Sequence, residues 1–243
     1  MSHAPIEFSP KGTPLLDRGV GELVAERPNR SRIFQTHKID FCCQGTRTLR
    51  QACERQKIDP AAIVKDLEDE LAGKPDDGEN PALLPADQLC EYIVEKHHRF
   101  LRDELPRLFA MSERVARVHG GRTASLIEVF QVFGEMSQEL LSHIEKEETV
   151  VFPAVVSLSR GEKTSVPLEV PLSVMFREHD ETAGFLKSLR ELTNDFSPPS
   201  DACNTYRALF AGLHDLEGDL QKHIHLENAV LFPAARKMVA EQN

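Results

Sequence analysis

A chain of 243 residues, 40% hydrophobic and 28% charged, carries enough apolar material for one mid-sized domain and a smaller one. A formal net charge of −10 offers no basic face to nucleic acid or an anionic membrane, and excludes both as expected partners. The longest apolar stretch, near residues 150–158, is far shorter than the roughly 20 residues of a membrane-crossing helix.

The first residues, MSHAPIEFSPKG, have no charged start followed by an apolar block, so no secretory signal is expected. With no Trp, two Tyr and abundant Leu, Ala, Glu, Lys and Arg, the composition points to an all-α protein. Short helical patterns occupy residues 19–26, 31–37, 46–56 and 60–71, giving a small N-terminal helical domain over residues 1–72. Between the second and third lies Asp40-Phe41-Cys42-Cys43-Gln44-Gly45. Adjacent cysteines rarely bond to each other, because the small ring strains the peptide. The pair therefore either packs as two small hydrophobes or, beside a glycine turn, is exposed and reactive as a redox, metal or nitrosyl acceptor. Cys53, Cys90 and Cys203 read as ordinary helix residues. Five cysteines, an odd number without framework spacing, fit reduced thiols in the cytoplasm.

A stretch rich in Gly, Pro and Asp follows, with the linker placed at residues 73–85. Residues 86–243 then hold four longer helical patterns, at about 86–109, 123–151, 172–193 and from a cap at Asp201 to about 232. Pro153 and Pro233 are expected to kink or end their helices. The second and fourth patterns are copies of each other. HIEKEETVVFPA from His143 returns as HIHLENAVLFPA from His223, 80 residues on. Upstream, Val129, Phe133, Met136 and Leu140 are matched by Leu209, Leu213, Leu216 and Leu220. Spacings of 4, 3, 4 and 3 mark the buried seam of a packed helix. The first and third patterns repeat with an offset of 81, through Val94, His98, Leu101, Leu105 and Leu108, then Met175, His179, Thr182, Leu186 and Leu189. Two helical hairpins of the form His…His-x-x-x-Glu make an antiparallel four-helix bundle.

The seams run into His98, His143, Glu147, His179, His223 and Glu227. An imidazole or carboxylate at a core position costs several kcal/mol unless it is paired, and a metal ion is the natural partner. A single His-x-x-x-Glu is ordinarily a surface pair; here it occurs twice on buried seams, with two further His in register. Residues at i and i+4 share a helix face, about 5–6 Å apart at Cβ. Four imidazoles and two carboxylates suit two first-row transition metals better than Ca²⁺ or Mg²⁺. Ferritin-like sites use four Glu and two His, so this nitrogen-rich set favours a hemerythrin-type centre. His97, one residue or about 100° off the seam, and His225 are at most supporting groups. His3, His37, His119 and His214 fall outside the set, and Glu145 and Glu148 read as solvated charges.

Taken in order, the Cys-Cys motif and the ligand repeats resemble the iron–sulfur cluster repair di-iron proteins, the repair-of-iron-centres family. The likeness covers residues 10–238 and includes Asp40–Gly45, the His98-Arg-Phe-Leu-Arg-Asp-Glu-Leu-Pro106 segment, Glu178-His179-Asp180 and both His-x-x-x-Glu pairs. It departs at Gln44, where the family often has Gly, and at Leu101, where some relatives carry a second His; neither is a ligand position. The resemblance implies a small N-terminal domain joined to a hemerythrin-like bundle with two non-haem Fe ions, oxo- or hydroxo-bridged. It assigns one iron to His98 and His223, the other to His143 and His179, and bridging to Glu147 and Glu227. It further implies repair of clusters damaged by nitric oxide or oxidants through iron donation rather than multiple-turnover catalysis. Damaged iron–sulfur proteins are then the partners, Cys42 and Cys43 the contact or acceptor thiols, and the N-terminal domain a homodimer interface. The alternatives are an O₂ or NO carrier or sensor, a di-iron NO reductase or peroxidase, and a structural module stapled by metal.

Overall fold

The computed structural model describes residues 9–72, 80–164 and 166–242. His3, most of the segment read for a signal, and residues 73–79 of the linker lie outside them. Among the described residues helix dominates, and the only β pairing is one antiparallel bridge between Gly19 and Thr48. The all-α expectation holds.

The chain forms two compact units. The first is made of residues 1–91, 154–169 and 221–243, and the second of residues 92–153 and 170–220. In the first unit α1 (Val20–Glu26), α2 (Arg30–Thr36), α3 (Leu49–Gln56) and α4 (Pro60–Ala72) gather around Leu23, Phe34, Phe41, Leu49, Cys53, Ile63 and Leu67, all buried. Helix α3 begins three residues later than the pattern 46–56 suggests. Thr48 caps it, accepting the Gln51 amide at 3.3 Å, while the Gln51 side chain accepts the Thr48 amide at 3.1 Å. The Thr-x-x-Gln spacing was the available signal. His37 joins α2 to Asp66 of α4 at 2.8 Å.

Ala86–Ile93 forms α5, followed by a π-helical turn at Val94–His98 and α6 at Arg99–His119. The helical pattern read to about 109 continues to His119, where the expected loop residues His119-Gly120-Gly121 end α6. Ser125–Lys146 forms α7, followed by a π turn at Glu147–Val151 and α8 at Phe152–Ser159. Then come α9 (Glu169–Leu192), α10 (Asn204–Leu226), a third π turn at Glu227–Leu231, and α11 (Phe232–Gln242). Helix α10 starts at Asn204, so Asp201 belongs to the preceding turn and does not cap it. Within the second unit, α6, α7, α9 and α10 pack as a four-helix bundle on Leu101, Leu105, Leu108, Phe133, Met136, Leu186, Leu189, Leu209, Leu213 and Leu216. Short loops at 120–124 and 193–203 make successive helices antiparallel.

Pro153 and Pro233 do not end their helices. Each follows a π turn in which Phe152 and Phe232 donate five residues back, to the Glu147 and Glu227 carbonyls. A proline has no amide to give, and the wider turn lets the helix resume past it.

Candidate metal centre

All six seam candidates are buried: His98, Glu147 and Glu227 show no exposed surface, and His143, His179 and His223 at most 4%. Each π turn carries or directly follows ligand candidates, at His98, Glu147 and Glu227. Local π geometry re-aims side chains away from the regular 100° progression, a device common at functional sites.

Glu147 organises the centre. Its Oε2 lies 3.3 Å from Nε2 of His98, and its Oε1 3.3 Å from Nε2 of His143. His143 Nε2 is also 3.1 Å from Nε2 of His179, the two rings meeting at 4.8 Å and 60°. One helix turn joins His223 Nε2 to Glu227 Oε1 at 3.1 Å. Within the second unit, donor atoms of His143, Glu147 and His179 lie within 4.8 Å of one another.

The far nitrogens of two imidazoles are held by carboxylates. His98 Nδ1 donates to Glu148 Oε1 at 2.6 Å, and His143 Nδ1 to Glu178 Oε2 at 2.8 Å. A proton on Nδ1 leaves the Nε2 lone pair for a metal, and the carboxylate makes the ring a stronger donor. Burial pushes the Glu148 carboxyl up, but hydrogen bonds from His98 and Arg102 outweigh it and hold it below its ordinary range. The His143 hydrogen bond, against burial and aided by Lys146, holds Glu178 down to about 2. Both therefore remain anionic. Glu148 is thus no solvated charge. Its side chain follows the π turn to His98, which a regular helical wheel does not place there. The ring of His98 is further fixed by stacking on Phe152, 5.5 Å away and 16° from parallel. A donor set of Nε2 lone pairs and carboxylates, with the Nδ1 protons of His98 and His143 already committed, fits transition-metal binding.

His97 and His225 are both buried. His97 Nδ1 bonds Asp219 at 2.9 Å, and His225 packs edge-on against Phe41 with centroids 5.6 Å apart. Burial lowers the His225 pKa to about 4, so its ring is neutral at ordinary pH. His214 is exposed, and His119 lies 3.3 Å from Cys203 Sγ.

The Cys pair is not the exposed alternative allowed by the sequence: Cys42 and Cys43 are 8% and 7% exposed and form no disulfide. The neighbouring Cys43 sulfur, then burial and Asp40, push the Cys42 thiol well up, so it stays protonated. Asn228, beside Glu227, donates to the Cys42 carbonyl at 3.2 Å.

Residues 91–235 match the family model of the hemerythrin HHE cation binding domain. Residues 16–71 match the ScdA_N model, a domain of unknown function (DUF542). The iron-sulfur cluster repair protein YtfE of Edwardsiella ictaluri is 38% identical over 219 residues, which are 90% of this chain and 96% of that protein. The chain belongs to the YtfE iron-sulfur cluster repair family. Further YtfE proteins, from Musicola paradisiaca and Pectobacterium atrosepticum, are 36% and 34% identical over the same shares. The YtfE-type chain thus joins both matched models in one sequence, and all six candidates fall inside the HHE match.

Proposed function

We propose that this chain repairs iron–sulfur clusters damaged by nitric oxide or oxidants, by supplying iron from a pair of ions held by His98, His143, Glu147, His179, His223 and Glu227. The observation that carries this reading is Glu147, whose two oxygens face the Nε2 atoms of two different imidazoles at 3.3 Å, the disposition of a bridging carboxylate. One iron is assigned to His98 and His223 and the other to His143 and His179, with Glu147 and Glu227 shared; the 80- and 81-residue repeats of the ligand positions support treating them as one set. Bound here, iron supplies a redox-active and exchangeable metal, held less tightly once reduced. Glu148 and Glu178 keep His98 and His143 oriented through their Nδ1 atoms, and Glu147 and Glu227 would supply the carboxylate oxygens to bound iron. Relatives named as iron-sulfur cluster repair proteins, matched over 96% of their length, support the assignment of damaged clusters as the target.

The test is metal content and optical spectra of protein purified with and without oxygen, followed by incubation with an enzyme whose cluster nitric oxide has damaged. About two irons per chain, lost in step with recovery of that enzyme, are the expected result. Irons that stay bound while reversibly taking up O₂ or NO would replace repair with sensing. Zinc, or no metal, would overturn the centre itself.

A further inference from the structure

The Asp40–Gly45 turn gathers donors that the His and Glu set does not use. Asp40 Oδ1 accepts the backbone amides of Cys42 at 3.1 Å, Cys43 at 2.9 Å and Gln44 at 3.4 Å, so the turn wraps one carboxylate. That wrapping brings the two Sγ atoms to 3.8 Å from each other, with Cys42 Sγ 3.3 Å from the carboxylate oxygen. Donor atoms of all three residues lie within 4.8 Å of one another. A disulfide needs its sulfurs at about 2.05 Å. Two metal–sulfur bonds of about 2.3 Å reaching sulfurs 3.8 Å apart enclose about 110°, the tetrahedral angle.

We propose that Asp40, Cys42 and Cys43 form a second metal site, which takes one tetrahedral divalent ion of the zinc or ferrous class. On binding, two S–H bonds are replaced by two sulfur–metal bonds, and both protons leave to solvent. Two thiolates and a carboxylate then carry three negative charges, which a divalent ion offsets to a net −1 where a monovalent ion would leave −2. Three protein ligands leave a fourth position for water or an incoming donor, the arrangement of an exchanging site rather than a closed structural one. Both cysteines are buried, 8% and 7% exposed, so the turn shields the site from bulk solvent. The site is also held ready: Asn228 grips the Cys42 carbonyl at 3.2 Å and His225 braces Phe41.

The experiment uses the full chain with its iron centre filled, titrated without oxygen with Cd²⁺ as the spectroscopic probe. One equivalent per chain should raise a cadmium–thiolate charge-transfer band in the ultraviolet, absent from Cys42→Ser and Cys43→Ser. Asp40→Asn keeps an oxygen for the three amides but removes the charge, and should weaken Cd²⁺ by about tenfold or more with iron content unchanged. In the unaltered protein, zinc should protect Cys42 and Cys43 from alkylation, mapped by mass spectrometry; this reading needs no variant to fold. Absence of the band, its survival without both cysteines, or equal alkylation with and without zinc would each overturn the site.

Discussion

Glu147 and Glu148 are neighbours in sequence with opposite tasks: one faces two imidazoles in a fully buried pocket, the other orients His98 from behind. Replacing Glu147 or Glu227 with Leu should abolish paired-metal binding while helix content by circular dichroism is unchanged, since an apolar side chain packs where a lone buried charge does not. Replacing Glu148 with Leu should leave both ions bound but weaken them about 10–100-fold in chelator competition. Wild-type affinity in that variant would remove Glu148 from the centre. The six seam positions were legible because the i, i+4 pairs recur on two apolar stripes. Glu148 and Asn228 were not, because each lies in a π turn that departs from the uniform 100° progression; Glu178, in regular α9, was not because its contact with His143 depends on packing between helices.

Among the elements, the helices were readable from their 4-3-4-3 spacing, and the π turns were readable only as an irregularity flagged by Pro153 and Pro233. Proline marks where an amide is missing, and the choice between a stop, a bend and a widened turn depends on what the surrounding residues must face. Close helix approach leaves its own mark at Gly212 of α10, where an added Cβ would stand 2.5 Å from Leu108 Cδ2 of α6. Gly212→Ala should therefore cost about 1–3 kcal/mol in denaturant unfolding through overpacking, although alanine favours a helix interior by about 1 kcal/mol. An unchanged or increased midpoint would mean that Leu108 yields freely.

For the whole molecule, stability should follow metal occupancy. Binding to the folded state alone adds about 2.7 kcal/mol at a hundredfold excess over Kd, so stripping the ions should lower the calorimetric melting temperature and refilling should restore it. Acid acts separately through Glu22. Burial pushes its carboxyl up, but Ser9 and Arg18 outweigh that and hold it below its ordinary 4.5. A depressed folded value contributes stability that is complete above about pH 4.5 and lost as pH falls through the folded value. Glu22→Gln should thus be less stable than wild type at neutral pH and lose less on acidification, read as denaturant midpoints across pH 3–6. Equal slopes for both proteins would contradict the coupling. The bond from Asn228 to Cys42 spans 186 positions of chain. A ribosome adding about 5–20 residues per second takes about 10–40 s to cover that interval. Phe41 and the cysteine turn are therefore made well before His225 and Asn228, and a chain stalled before residue 221 lacks both of the residues that pack on them.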